Sequence, residues 1–244
     1  MAGNLQSKIL LMQTNPSVLQ HNKTFFACLL FALLFGTIFL LLNGKAAAFI
    51  SLNAYHPFVL NVFFINYTFI GDGIFALCLI AAVFFYFKKK QQGFALLYSF
   101  LISGLIVQLI KNLVDSPRPR LFFEAGQYLH FIDGVSLANN SSFPSGHTAT
   151  AFAIATVLAL LMKDKSWQLI ILIAAILVGY SRIYLAQHFL LDVLIGAIIG
   201  SGSGIIAVLL VHNIKGIKRS IRLFKKMHRL SSVATASPSA VQPV

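Results

Sequence analysis

Long apolar runs, separated by short polar or basic stretches, dominate the sequence. A helix needs roughly 20 mostly apolar residues to cross a bilayer. Six runs meet that need. They are Thr24–Asn43, which carries no charge; about Phe69–Phe87, with Asp72 near its start and Lys88, Lys89 and Lys90 at its end; Gly93–Ile110, followed by Lys111; Ser145–Met162; Ser166 to about Tyr184; and about His188–Asn213. The pattern predicts an all-α polytopic membrane bundle of six transmembrane helices over residues 24–213. Residues 1–23 precede it and a basic tail, 214–244, follows. Ala46–Ile65 is also apolar, but Asn53, His56, Pro57 and Asn61 interrupt it. It is read as a re-entrant or interfacial element.

Composition agrees with the pattern. Of 244 residues, 58% are apolar and 10% charged, and the mean hydropathy is +0.82. A soluble domain carries roughly 25% charged residues, so a soluble enzyme, a secreted scaffold and a disordered chain are excluded. The net charge of +13 would suggest nucleic acid in a soluble protein. Here anionic lipid is the expected counterpart, and no nucleic acid is implied. Cys28 and Cys78 lie inside apolar runs and imply neither a disulfide framework nor a zinc site. Ala46-Ala47-Ala48 could pass for a signal-peptidase site, but the apolar run before it exceeds the usual 7–15 residues of a signal peptide. An uncleaved first span is expected.

Six spans put both termini on one side. Placing them in the cytoplasm puts Lys8, Lys23, Lys88 to Lys90, Lys163, Lys165 and the basic residues between Lys215 and Arg229 inside, as the positive-inside rule requires. Lys45, Lys111, Arg118, Arg120 and Arg182 then stand outside, against the trend. In the tail, Ile214, Ile217, Ile221 and Phe224 share one helical face. A helix on the anionic inner leaflet and a solvated basic tail that only fixes topology both fit. Ser231–Val244, rich in Ser, Ala and Pro, is expected to be disordered.

Three polar clusters sit at span ends on the outer side. The first holds Lys111, Asp115, Arg118 and Pro119. The second is Ser142-Phe143-Pro144-Ser145-Gly146-His147. The third runs from Ser181 and Arg182 to His188 and Asp192. Topology alone brings them to one membrane face, and ionisable residues at such positions point to function. Lys111, Arg118 and Arg182 offer three fixed cations suited to phosphate. Ser145 and Gly146 open a helix whose exposed N–H groups favour an anion. His188 and Asp192 are four apart, so they share a helical face. The carboxylate can fix the imidazole tautomer, leaving the other ring nitrogen to attack phosphorus. His147 can then protonate the leaving oxygen.

These residues form Lys-x6-Arg-Pro, Pro-Ser-Gly-His and Ser-Arg-x5-His-x3-Asp in order. The set resembles the three-part signature of the type-2 phosphatidic acid phosphatase superfamily. The likeness covers roughly residues 111–192 directly, and the span layout extends it. It implies a phosphohistidine mechanism without metal or cofactor, at the non-cytoplasmic ends of helices 3–6. His188 would be the nucleophile, Asp192 its orienting partner and His147 the acid and then the base. Lys111, Arg118, Ser145, Gly146 and Arg182 would bind phosphoryl oxygens. Many relatives have a proline two residues after the nucleophilic His, where Leu190 stands here.

The expectation is a membrane lipid phosphatase, acting on a lipid phosphomonoester or pyrophosphate at the outer face of a bacterial cytoplasmic membrane. The candidates are undecaprenyl pyrophosphate, lipid A phosphates, phosphatidylglycerol phosphate and phosphatidic acid. A phosphotransferase using the same intermediate is the alternative. An anion transporter is a distant one, because the charges gather at one face rather than at a midplane site. A metal site on His147, His188 and Asp192 fits by residue type, but the three cations oppose it. Asp72 is read as an interfacial residue, with a place in the site as the alternative. Asp115 is read as interfacial or salt-bridging, and Arg120 as a loop charge or a head-group contact. His21, His56, His130, His212 and His228 have no partner visible in the pattern. Phe122, Phe123, Tyr128 and Phe131 suggest an aromatic belt or a lid.

Overall fold

The computed structural model describes residues 22–123, 131, 132, 135 and 139–235, the stretch from 213 onward as backbone only. The expectations for Lys8, His21, Tyr128, His130, His228, the basic side chains of the tail and residues 236–244 lie outside the described residues.

The described chain is all-helical. Helix α1 spans Lys23–Leu52 and is bent at Gly44, whose φ of +74° is open to glycine. That kink sits where the first apolar run was expected to end. Beyond it the helix resumes through Ala46–Leu52, so this part of the expected re-entrant element continues α1. The rest begins a bent pair. Helix α2, Phe58–Tyr67, passes through a 3-10 turn at Thr68–Gly71 into α3, Gly73–Ala81, and a wide π turn at Ala82–Tyr86. The two arms differ in direction by 57°. The second expected span is thus the downstream arm of a longer, broken element.

Helix α4 spans Lys90–Leu113 and α5 is a single turn at Pro119–Phe122. Helices α6, Gly146–Leu161, α7, Lys165–Tyr184, and α8, Leu190–Thr235, complete the chain. The tail expected from Ile214 onward is helical backbone to Thr235, continuous with α8, so residues 231–235, expected to be disordered, continue the helix instead. By length and composition, α1, α4, α7 and the 190–212 part of α8 can each cross a membrane, and the bent pair makes a fifth where it counts as one span. Helix α6 has only 16 residues, about 24 Å at 1.5 Å per residue, against a hydrocarbon core of about 30 Å.

Short as it is, α6 is the hub, packed against α4, α7 and α8. Its Ala- and Thr-rich sequence leaves little side-chain bulk, and nearly every residue from Thr148 to Ala159 is buried. Helix α8 meets it with Gly196 and Gly200. A Cβ on Gly196 would lie 2.6 Å from the Ser145 carbonyl oxygen, and one on Gly200 would overlap the Ala149 oxygen. Small residues at a helix crossing let backbones approach this closely. The approach sets the start of α6 directly against the start of α8.

The polar residues that interrupt the 46–65 stretch now have a use. Asn53 Nδ2 donates to the carbonyls of Ile183 (2.9 Å) and Tyr184 (2.8 Å). A nitrogen of His56 lies 3.1 Å from the Tyr184 carbonyl, and the Tyr184 hydroxyl donates to Asn61 Oδ1 at 2.6 Å. The last carbonyls of a helix lack intrahelical partners. Asn53 satisfies two of them at the end of α7, next to Arg182. His56, which showed no partner in the sequence pattern, belongs to this clamp.

Candidate active site

The turn between α7 and α8 builds half of the site. The Arg182 carbonyl accepts from the N–H groups of Gln187 (2.9 Å) and His188 (3.1 Å), so the chain folds back on the end of α7. Ala186 takes a left-handed φ of +53° to make that turn. His188 is 2% exposed and Asp192 1%. His188 Nδ1 lies 3.5 Å from Asp192 Oδ2. The same oxygen accepts from the Ser142 hydroxyl (2.5 Å) and the Phe189 N–H (2.9 Å). Three groups therefore converge on one carboxylate oxygen, the Ser142 hydroxyl and Phe189 N–H as hydrogen-bond donors and His188 Nδ1 at the longer distance. With Nδ1 turned to Asp192, Nε2 is the nitrogen that faces away from it.

The start of α6 builds the opposite wall. Ser145 caps the helix, its N–H donating to the Asp192 carbonyl at 3.0 Å. Its hydroxyl accepts from Thr148 Oγ1 (2.8 Å) and Thr148 N (3.4 Å). With both lone pairs used, the Ser145 proton is what it has left to give. A Cβ on Gly146 would meet only Val107 Cγ1, at an ordinary 3.8 Å. The protein's own packing therefore does not require glycine there.

The cations come from three other places. Lys111 Nζ, at the end of α4, donates to the Ser141 carbonyl at 2.8 Å. Arg118 donates from Nε to the Asn140 carbonyl (3.0 Å) and from Nη1 to Gln187 Oε1 (2.7 Å). Burial lowers the Arg118 pKa and the Asp192 charge raises it; a guanidinium remains a cation throughout. Arg182 is 8% exposed, and its Nη1 donates to Thr68 Oγ1 at 2.7 Å, while its Nε is buried with no hydrogen-bond partner. Each cation is thus tethered by part of its donor set, with further N–H groups unspent. Lys111, Arg118, Arg182 and His188 all lie within electrostatic reach of His147. The eight residues singled out in the sequence assemble into one site.

The structure adds contacts that the sequence pattern did not assign. Ser142 and Gln187 hold Asp192 and Arg118, and Thr68 holds Arg182. Asp72 is not the plain interfacial residue expected: its Oδ2 lies 3.7 Å from His147 Nε2. Lys45, just past the α1 kink, places Nζ 4.1 Å from the Phe189 ring centroid and 4.8 Å from that of Phe122. Phe123 is buried against Phe49 and Phe189, beside the nucleophile candidate, while Phe122 meets the Phe189 ring and stays 40% exposed. Arg120 and Asp115 are exposed. Among the described residues, His147, His188 and Asp192 do not converge as a three-donor metal group.

Residues 92–215 match the family model described as the PAP2 superfamily. The chain belongs to the PAP2 superfamily. The matched region runs from α4 into α8 and contains every one of the eight residues. Phosphatidylglycerophosphatase B of Bacillus subtilis (strain 168) is 30% identical over 181 residues, which are 68% of this chain and 79% of that protein. An undecaprenyl-diphosphatase of Sulfolobus acidocaldarius is 30% identical over 132 residues, 53% of this chain and 60% of that one. Among solved structures, Aquifex aeolicus LpxE superposes with a TM-score of 0.60 at 32% identity, covering 67% of this chain and 94% of that one. A PAP2-type phosphatidylglycerolphosphate phosphatase from Bacillus subtilis gives a TM-score of 0.50 at 28% identity, covering 77% and 94%. As a PAP2 protein with these relatives, the chain is a multi-pass membrane lipid phosphatase, a phosphoric ester hydrolase.

Proposed function

We propose that this PAP2 protein hydrolyses a lipid phosphomonoester or pyrophosphate through a phosphohistidine intermediate on His188, without a metal. The observation that carries the proposal is the buried His188–Asp192 pair beneath a rim of three tethered cations. His188 Nε2 attacks phosphorus while Asp192 holds Nδ1–H and balances the charge that forms on the ring. The bond from phosphorus to the leaving oxygen breaks, and His147 gives that oxygen a proton. Water then attacks the phosphohistidine and loses a proton to His147. The P–N bond breaks, inorganic phosphate leaves and His188 is restored.

The phosphoryl oxygens are held by Lys111, Arg118, Arg182, the Ser145 hydroxyl and the N–H groups that open α6. Preorganised donors of this kind stabilise charge that develops in the transition state. The unpartnered Arg182 Nε supports this assignment, because a buried guanidinium N–H normally finds an acceptor. Gly146 gives the phosphoryl group room beside the helix start.

The lipid enters with its tail among the helices and its head group in the cradle, on the non-cytoplasmic face of the membrane. Both termini lie in the cytoplasm, with α6 as a sixth, short crossing. Basic residues of the tail meet the anionic inner leaflet. Undecaprenyl pyrophosphate and lipid A phosphates best suit an outward-facing site in a bacterial cytoplasmic membrane; phosphatidylglycerol phosphate and phosphatidic acid are the other candidates. The test is phosphate release by the detergent-purified protein from a panel of these four lipid classes, with EDTA present. Release from one class well above the others, despite the chelator, is expected. Release that requires a divalent metal refutes the metal-free site, and release only with an added hydroxyl acceptor makes the protein a phosphotransferase.

A further inference from the structure

The break in the bent helix pair lies against the site and is not part of the three motifs. Thr68 opens the four-residue turn there and Asp72 follows it. Thr68 Oγ1 accepts from Arg182 Nη1 at 2.7 Å. Gly71 packs so tightly that a Cβ would come 2.8 Å from the His147 carbonyl oxygen and 2.6 Å from Val178 Cγ1. Asp72 Oδ2 stands 3.7 Å from His147 Nε2, both side chains about one-third exposed. The break thus touches a phosphate-binding candidate and the candidate acid at once.

We propose that Asp72 is a positioning residue of the active site, whose carboxylate orients the His147 imidazole and stabilises its protonated form. This rests on the reading of His147 as the group that protonates the leaving oxygen. Among the described residues, the other charged groups facing His147 are cationic or become so on protonation: Lys111, Arg118, Arg182 and His188. An imidazolium there needs an anion nearby, and Asp192 is already engaged by His188, Ser142 and Phe189. Among the described residues, Asp72 is the anion that remains on His147's side. The separation of 3.7 Å is a loose ion pair that closes when the ring is protonated, as catalytic contacts often do only in the loaded site. With Nε2 held by Asp72, Nδ1 is the nitrogen that meets the leaving oxygen.

Asp72 also has a structural duty that the test must separate. Its Oδ1 accepts from the Ile74 N–H at 2.7 Å and caps α3. Asn caps a helix about as well as Asp but carries no charge. Asp72→Asn therefore keeps the cap and removes only the anion. The experiment compares wild type, Asp72→Asn, His147→Gln and the double variant as purified full chains. Each is measured on a long-chain lipid phosphate and on 4-nitrophenyl phosphate, whose leaving group needs no proton. On the lipid, Asp72→Asn is expected to lower kcat by roughly tenfold or more, with KM within about twofold, since a general acid is worth about 10²–10⁴. On the aryl phosphate the loss, read in the initial burst of 4-nitrophenolate that reports phosphorylation before His147 acts as base, is expected to shrink to within about twofold. The double variant is expected to match His147→Gln alone.

An Asp72→Asn protein with wild-type kcat on the lipid, beside an impaired His147→Gln, overturns the role of Asp72 and leaves that of His147 standing. Equal losses on both substrates, or losses that multiply in the double variant, also overturn it. A fully active His147→Gln overturns the acid assignment itself, and Asp72 with it.

Discussion

Arg182→Lys keeps the charge at the most buried cation of the site and removes its shape. The native guanidinium spends Nη1 on Thr68 and holds Nε inside the protein with no partner. In the proposed mechanism, that Nε and the second terminal nitrogen form a fork on the phosphoryl oxygens. A lysine ammonium is a point donor on a different stem and cannot reproduce two parallel bonds. A hydrogen bond to a charged group contributes about 1.5–3 kcal/mol. Losing two that form fully only in the transition state raises the barrier by about 3–6 kcal/mol. At 1.4 kcal/mol per factor of ten, kcat/KM falls by roughly 10²–10⁴. Folding should suffer less, by about 1 kcal/mol for the Thr68 bond. The assay is phosphate release from the best lipid of the panel, with thermal unfolding of the same preparations alongside. The loss should appear largely in kcat, the signature of an interaction made in the transition state. A variant that turns over within about threefold of wild type refutes the fork. So does one whose loss is matched by unfolding at the assay temperature.

Gly146→Ala should separate space for a ligand from space for the fold. The fold tolerates a Cβ there, with Val107 3.8 Å away, so thermal stability should hold or rise slightly while phosphate release drops at least tenfold; an active variant would put the phosphoryl group elsewhere. Ser142→Ala removes one of the donors on Asp192 Oδ2 and should cost about 1.5–3 kcal/mol in activation free energy, read as a lower kcat with KM little changed; unchanged kcat would show that Asp192 needs no such support. Vanadate should inhibit competitively by adopting the five-coordinate geometry of the attacked phosphorus. Arg182→Lys should weaken that inhibition in parallel with kcat/KM, and insensitivity at millimolar vanadate would count against the cradle.

The membership of the candidate site was legible because its residues repeat fixed spacings. His188 and Asp192 are one helical turn apart, and Pro144-Ser145-Gly146 announces a helix start with an open N-terminus. Periodicity speaks of one element at a time, however, and the contacts it missed all cross the chain. Thr68 meets Arg182 over 114 positions and Asn53 meets Ile183 over 130. Nothing local to Asp72 says that the helix break beside it will land on His147. The Asn53–Asn61 stretch looked like a poor span because polar residues cost energy in lipid, and the structure supplies the missing half of that argument: they face the end of α7, not the lipid. Helix α6 shows the opposite limit. Its apolar run reads as a span, but what it lacks in length it makes up by burial among α4, α7 and α8. The downstream arm of the bent pair reads as a span and the upstream arm as part of a re-entrant or interfacial element, because Pro57 and Asn61 mask the run that joins them.

The central claim is a covalent bond between His188 and phosphorus. It is tested most directly by mixing the purified protein with a radiolabelled lipid phosphate and quenching within milliseconds in alkali. The bound label is then assayed for acid lability and located by peptide mapping. The account predicts an alkali-stable, acid-labile phosphoryl group on His188, absent from His188→Ala and accumulating in His147→Gln with an activated aryl phosphate. A label on another residue, or steady turnover by His188→Ala, would contradict it.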